Sequence, residues 1–260
     1  MTTGPLQVNR DIVLAMKRQT IKERQSRSPM AAIISLAHMQ PHPRDVMNYV
    51  DDDKVTVIGQ VTRTANLYDP VAAAMDMIYE GANAIAFYTD HAVYGQDLED
   101  LFLVSRARRS IPVIYQNYVV SEYHVVGVRV ADASGITIHS SLLDEKIVRA
   151  TTIAAQRWRF TVFVQVETQA QLEVANTLSP HVISYGDPLS HQVSKALQEL
   201  PALREQIPHH TKLMLSHTLH TLDEAEAAVK AGVRGMIVAP YLFKGDNARK
   251  LRLLTGQEVR

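Results

Sequence analysis

Short apolar runs alternate eight times with amphipathic helical stretches along this chain, and this order limits its possible folds more than any other feature. The runs lack a strict alternation of polar residues, which is typical of strands buried on both faces of a parallel sheet. Eight such units favour closure of the sheet into a barrel. The predicted strands are residues 55–61, 84–88, 112–115, 135–139, 161–166, 181–184, 212–216 and 235–238.

We therefore predict an α/β protein, a single (β/α)8 TIM barrel with extra helices at its N-terminus. Residues 1–54 form the helical extension and residues 55–260 the barrel, and 260 residues suffice to bury a large core. Pro41 and Pro43 end the second helix of the extension. The predicted helices are 11–27, 30–39, 70–81, 98–108, 122–131, 143–157, 169–178, 193–204, 223–231 and 248–254.

Composition excludes several classes of protein. Basic and acidic residues balance at 27 each, so we expect neither a nucleic acid nor a membrane surface as partner. Cysteine is absent, which removes disulfides, thiol nucleophiles and thiolate metal sites. No apolar run is long enough to span a bilayer or to act as a signal core, so we expect a cytoplasmic protein. A basic cluster is interpreted as a solvated helix face: Lys17, Arg18, Lys22, Arg24 and Arg27.

Amides and hydroxyls stand at the ends of several predicted strands, where a barrel of this kind carries its reactive groups. Gln60 and Thr62 end the first strand, Gln116 the third, Gln165 the fifth and Ser184 the sixth. If these ends form a pocket, it is polar but nearly uncharged, and we expect no cofactor and, as partner, a small polar ligand or another protein. The other candidate lining residues are Arg63, Tyr115, Asn117, Tyr118, His139, Glu167, His217, Thr218 and Tyr241.

Two histidines raise the question of a metal or acid–base site. His139 and His217 fall at the ends of strands four and seven, within possible reach of Asp90, Glu167 or Asp187. The sequence contains no dense ligand motif, so we predict no metal. Ser216-His217 lacks the elbow motif of a serine nucleophile.

Several short motifs form a specific group when they are taken together. They include Pro43-Arg44-Asp45, Asp69-Pro70-Val71, Pro112-Val113 and Glu122-Tyr123, together with segments 12–24, 89–95, 97–101 and 142–144. In this set the chain resembles indole-3-glycerol-phosphate synthase, the (β/α)8-barrel lyase family of tryptophan biosynthesis, over essentially its whole length.

The family's functional positions carry other residues here. The resemblance matches a Glu-Ile-Lys-Arg-Ala-Ser-Pro segment to residues 60–66, and only its arginine recurs, as Arg63. The family's Arg-Lys-Asp-Phe is matched by residues 115–118, its catalytic glutamate on strand five by Gln165, and its asparagine on strand six by Ser184. The glycines of its phosphate cradle are matched by Leu219 and Ala239, and Pro240 has no N–H to offer a phosphate.

The resemblance implies a reaction that closes an indole ring from a carboxyphenylamino-deoxyribulose phosphate, with loss of carbon dioxide and water. That reaction needs a cation, a general acid and a carboxylate base. Gln60 and Gln165 cannot accept a proton at neutral pH, and Gln116 and Thr62 cannot supply a positive charge. Losing one general acid or base costs a factor of about 10²–10⁴ in rate, and such losses do not simply multiply.

No other lysine is predicted to take over. Lys54 and Lys212 precede strands and so lie at the opposite end of the barrel, and Lys244 alone is near the upper rim. We therefore predict a family member that has lost ring closure and serves as a pseudoenzyme or as a ligand- or partner-binding barrel. The alternatives are a functional synthase, a new activity that uses His139, Glu167 or His217 in a charge-poor pocket, and a purely structural interaction protein.

Overall fold

Eight parallel strands close into a barrel in chain order, with β1 paired to β8, in the computed structural model of this protein. The model describes residues 10–46, 54–63, 68–89, 97–141, 143–186 and 192–257. The predicted (β/α)8 barrel is confirmed. The strands are β1 (Thr56–Val61), β2 (Ala84–Tyr88), β3 (Val113–Gln116), β4 (Gly135–His139), β5 (Thr161–Val166), β6 (Val182–Tyr185), β7 (Lys212–Leu219) and β8 (Gly235–Val238).

The helices surround the barrel, and several begin with the caps that their sequences favour. The Asp69 carboxylate accepts hydrogen bonds from the N–H groups of Val71 and Ala72, and Thr221 and Glu224 form a capping box. A 3₁₀ turn, Pro240–Phe243, follows β8. The helices are α1 (Arg10–Arg27), α2 (Met30–His38), α3 (Pro70–Tyr79), α4 (Leu98–Ala107), α5 (Glu122–Val130), α6 (Glu145–Arg157), α7 (Gln169–Thr177), α8 (Val193–Arg204), α9 (Leu222–Lys230) and α10 (Gly245–Leu254).

A compact apolar layer fills the lower half of the barrel. Its members come from seven strands and from the segment before β1, and they exclude water from the barrel axis. Val46 is buried in this layer, and its N–H donates to the Thr161 hydroxyl at the start of β5, so the extension closes the N-terminal end of the barrel. The layer consists of Val46, Ile58, Ala84, Ala86, Ile114, Phe163, Val182, Met214 and Ile237.

A buried ion network fastens the extension to the barrel. The Asp132 carboxylate lies 3.4 Å from the guanidinium groups of both Arg44 and Arg129, and 2.9 Å from the Ser105 hydroxyl. Arg129 also donates to the carbonyl of Pro41. Because Asp132 and Arg129 are almost fully removed from water, each depends on its partners for solvation.

The structure departs from the predicted boundaries at β7 and at the last helix. β7 continues three residues beyond the predicted end at Ser216, because a bulge between Met214 and Thr218 lets the strand keep its pairing with β8. The last helix, α10, begins three residues before the predicted start at Ala248. Among the described residues, no helix is long and apolar enough to cross a membrane.

The basic face of α1 is solvated except at one position. Arg18, Lys22, Arg24 and Arg27 are exposed as predicted, whereas Lys17 is half-buried and its ammonium donates to the Thr89 carbonyl just after β2. α1 and α2 both pack on α5, which brings Lys17 to the flank of the barrel.

Candidate functional site

The upper half of the barrel is lined by amides and hydroxyls. Side chains two residues apart on a strand share a face, so the residue two positions beyond the last layer member on a strand points toward the mouth. This rule places Gln60, Gln116, Gln165, Ser184 and Ser216 on the inner face, and all five are buried. Four of them are positions at which sequence comparison expects the family's catalytic groups. The fifth, Ser216, is a residue that the sequence analysis did not select.

Two pairs of these groups satisfy each other. The Thr218 hydroxyl donates to the Gln60 side-chain oxygen across the short end of β8. The hydroxyls of Ser184 and Ser216 lie 2.7 Å apart on neighbouring strands. Both pairs join uncharged groups, and none of these four side chains titrates near neutral pH.

The amide of Gln165 is held in one orientation but lacks a donor for its oxygen. Its nitrogen donates to the Glu167 carboxylate at 3.0 Å and to the Gly186 carbonyl at 2.6 Å. Its side-chain oxygen is buried without a hydrogen-bond partner in the described part of the chain, and the same is true of the Gln116 side-chain oxygen. Buried polar atoms in native proteins are nearly always paired, so a hydrogen-bond donor is expected next to each of these two oxygens.

Glu167 supplies a carboxylate beside the mouth. It stands one residue after β5, and its N–H is bound by the Gln171 side chain. It also lines a cavity of about 250 Å³ outside β6, together with Tyr185, Glu199 and His217. Burial, the hydrogen bond to Glu199 and the charges of Glu199 and Glu167 raise the pKa of Tyr185 to about 12. This phenol therefore stays protonated at neutral pH.

The predicted histidines lie on different sides of the barrel wall. The ring of His139 lies 4.9 Å from that of Tyr118, and both residues are buried at the β3–β4 side of the mouth. His217 instead borders the cavity outside β6, where it packs against Gly186. Among the described residues, no three His, Asp or Glu side chains come close enough to hold a metal ion.

Tyr115 does not line the mouth, contrary to the sequence-based expectation. It is adjacent to Gln116 on β3, and neighbouring residues on a strand face opposite sides. Its ring packs in the core between barrel and helices, and its hydroxyl lies 2.7 Å from the Nε2 atom of His124 on α5. The Asn117 side chain bonds to nearby backbone groups: it donates to the Thr89 carbonyl and accepts from the Tyr118 N–H.

The remaining candidates stand at the rim. Thr62 and Arg63 are exposed, and the Arg63 guanidinium lies over the ring of Tyr68. Tyr241 is 48 % exposed, and its hydroxyl donates to the His220 carbonyl. Asp90, Asp187 and part of the matched segments, residues 64–66, 90–95 and 142, lie outside the described residues.

Lys212 and Lys244 lie where the sequence places them, and Lys195 on α8 borders the cavity outside β6 together with Glu167. Lys212 begins β7 and so stands at the opposite end of the barrel, and Lys244 is exposed after the 3₁₀ turn. Lys17, which the sequence analysis treated as solvated, reaches the end of β2 but borders the outer face, beside Tyr115. Glu167, at the end of β5, is on the other side of the barrel.

A family model described as Indole-3-glycerol phosphate synthase matches residues 10–254 of this chain. The chain belongs to the indole-3-glycerol phosphate synthase family. An indole-3-glycerol phosphate synthase from Nocardioides sp. is 26% identical over 257 residues, covering 95% of this chain and 98% of the relative. One from Saccharopolyspora erythraea is 23% identical and covers 89% of this chain and 88% of the relative. The resemblance inferred from the short motifs is thus confirmed.

Solved structures share the barrel at low sequence identity. A 3-hexulose-6-phosphate synthase superposes with a TM-score of 0.60 at 14% identity, covering 77% of this chain and 99% of the other. A thiamine phosphate pyrophosphorylase from Pyrococcus furiosus gives a TM-score of 0.56 at 14% identity, covering 80% and 97%. These similarities concern the fold alone.

Proposed function

We propose that this member of the indole-3-glycerol phosphate synthase family does not carry out ring closure, and that its barrel mouth binds a small, polar, uncharged ligand. The observation that carries the proposal is the inward-facing set Gln60, Gln116 and Gln165. These amides occupy the positions at which the family resemblance expects two carboxylates and a lysine.

Ring closure with loss of carbon dioxide and water requires proton transfers, and an amide performs none of them near neutral pH. Gln60 and Gln165 are good hydrogen-bonding groups but not bases, and Gln116 brings no charge to attract a substrate carboxylate. The general acid and the base would be lost together, so the remaining rate enhancement would come from binding alone.

The ligand is inferred from the unpaired acceptors. The side-chain oxygens of Gln116 and Gln165 are buried, and leaving such a group unpaired costs about 1–3 kcal/mol. A ligand with hydroxyl or amide N–H donors pairs both oxygens at once, and a neutral ligand needs no countercharge. A cavity that had become purely structural would be expected to contain aliphatic side chains there instead.

Glu167 supports a second candidate, an acid–base activity different from ring closure. Its carboxylate accepts a hydrogen bond from the Gln165 amide at 3.0 Å, so it brings a negative charge beside the inward-facing amides. A ligand seated on Gln165 would lie near this carboxylate. Under this second candidate, Glu167→Gln abolishes conversion of the bound ligand but leaves its binding within about threefold, whereas a binding barrel shows no conversion with either chain.

The proposal is tested by steady-state assay of the purified protein with the family's substrate, beside an intact family member at equal concentration, and by complementation of a tryptophan auxotroph. We expect no growth and a rate lower by a factor of at least about 10⁴. Growth without tryptophan, or turnover within a factor of about ten of the intact enzyme, would refute the loss of ring closure. Ligand binding is tested separately by mass spectrometry of small molecules that co-purify with the wild type and not with Gln165→Leu.

A further inference from the structure

A cavity of about 210 Å³ lies outside the barrel wall, between α1, the start of α4 and α5. It is separate from the mouth because Tyr115, which borders it, faces away from Gln116 on the same strand. The polar side chains that line it include Lys17, Arg24, Thr89, Asp97, Tyr115 and His124.

Two residues that line this cavity each carry a buried polar atom without a hydrogen-bond partner among the described residues. His124 is 2% exposed, and its Nε2 atom lies 2.7 Å from the Tyr115 hydroxyl, but its Nδ1 atom has no partner among the described residues. The Thr89 hydroxyl is likewise buried and unpaired. Groups of this kind are rare in native proteins unless a ligand, ion or water completes them.

The electrostatic surroundings indicate the sign of that ligand. Burial lowers the pKa of His124 well below its ordinary value, and the positive charges of Lys17 and Arg24 lower it further. The ring is therefore neutral in the absence of a ligand. When the Tyr115 hydroxyl donates to Nε2, the ring proton resides on Nδ1, which becomes an unpaired N–H donor in a ring that feels the charges of both Lys17 and Arg24.

The geometry points to this cavity as a binding site for a small anion, a carboxylate or a phosphate, held by Lys17, Arg24 and the Nδ1–H of His124. An ammonium, a guanidinium and an imidazole N–H all donate, which is the donor set that oxyanions require. Asp97 brings the opposing charge at the α4 side, so the anion lies toward α1 and α5.

The site is connected to the end of β2. The Thr89 carbonyl accepts both from the Lys17 ammonium, at 3.5 Å, and from the Asn117 amide, at 2.7 Å. An anion that draws Lys17 away changes one of these two contacts. The anion site itself does not depend on what the mouth binds, so either proposal stands if the other fails.

The test is isothermal titration of the full chain with inorganic phosphate, and separately with malonate as a carboxylate probe. Lys17→Gln and Arg24→Gln remove the cations. Arg18→Gln is the matched control, since Arg18 is exposed on the same helix and does not line the cavity. Thr218→Ala reports phosphate bound at the mouth instead. The unliganded melting temperature of every variant verifies its fold.

We expect phosphate affinity to fall by about tenfold in each cation variant and to stay within about twofold in Arg18→Gln and Thr218→Ala. Malonate binding with the same pattern assigns the site to anions in general, and phosphate binding alone restricts it to phosphate. The inference is overturned if neither probe binds at about 10 mM, if Thr218→Ala removes the binding, or if Arg18→Gln weakens it as much as Arg24→Gln. Because Arg24 is exposed, its variant carries the test even if Lys17→Gln fails to fold.

Discussion

Replacing Asp132 by asparagine probes how the N-terminal extension is fastened to the barrel. The Asp132 side chain is 1% exposed and stands between Arg44 and Arg129, at 3.4 Å from each. Asparagine has nearly the same shape and tolerates the positive φ of 61° at this position, but it removes the charge and replaces one acceptor oxygen by an NH₂ donor. The guanidinium of Arg129, itself 3% exposed, is then left without its counterion.

The expected cost follows from burial rather than from distance. Removing one partner of a buried ion pair costs about 3–5 kcal/mol, because the remaining charge stays desolvated. The asparagine oxygen still accepts from Ser105, so we expect the lower end, about 3 kcal/mol. For a chain of this size that corresponds to a loss of about 6–12 °C in melting temperature.

Urea unfolding measures this cost, with Glu145→Gln as the matched control. Glu145 lies only 2.7 Å from Arg149, but the two side chains are 55% and 39% exposed, so its loss is expected to cost less than about 0.5 kcal/mol. The midpoint should fall strongly for Asp132→Asn without a change in slope. Equal costs for the two variants would show that burial of this network does not determine its contribution.

Three further changes test other parts of the structure. Tyr115→Phe leaves His124 Nε2 unpaired and should lower the free energy of unfolding by about 1–3 kcal/mol. Tyr241→Phe at the exposed rim should change it by less than about 0.5 kcal/mol. Equal losses in urea unfolding would contradict a stabilising role for the buried Tyr115–His124 hydrogen bond. Gly186→Ala should destabilise the protein in thermal melts, because φ is +100° and the new Cβ would lie 2.5 Å from His217. Gly127→Ala inside α5 meets nothing within 4 Å and should stabilise the protein by about 0.5–1 kcal/mol. The opposite order of melting temperatures would refute the reasoning. The pKa of Tyr185 is raised from 10.0 to about 12, so the stability that its neutral form contributes is full below pH 10.0 and is lost as pH rises toward about 12. The slope of the free energy of unfolding against pH in that window should therefore shrink in Tyr185→Phe. An unchanged slope would show that another group causes the pH dependence.

The barrel was predictable because its strands are buried on both faces. A continuous apolar run such as β5 has one side in the barrel and the other under helices, so its sequence signal is strong. The bulge in β7 has no such signal, because the mixture of apolar and polar residues there is the same as at the end of an ordinary strand. Val46 belongs to no strand or helix pattern in the sequence, and only the closed barrel shows that it seals one end.

The mouth was partly predictable, and strand geometry explains the errors. The sequence placed three glutamines at strand ends, and they face inward: Gln60, Gln116 and Gln165. Tyr115 cannot face the same way as its neighbour Gln116. That alternation was available from the sequence and would have separated the two. The cavity beside His124 was not predictable, because it depends on how α1 packs against α5.

A single-turnover experiment tests the central claim most directly. Protein in molar excess over the carboxyphenylamino-deoxyribulose phosphate is mixed rapidly, and indole product and carbon dioxide are followed, so that product release cannot mask the chemical step. With the amides Gln60, Gln116 and Gln165 at the mouth, we predict no product beyond the uncatalysed background. One equivalent of product for each substrate molecule bound would contradict the account.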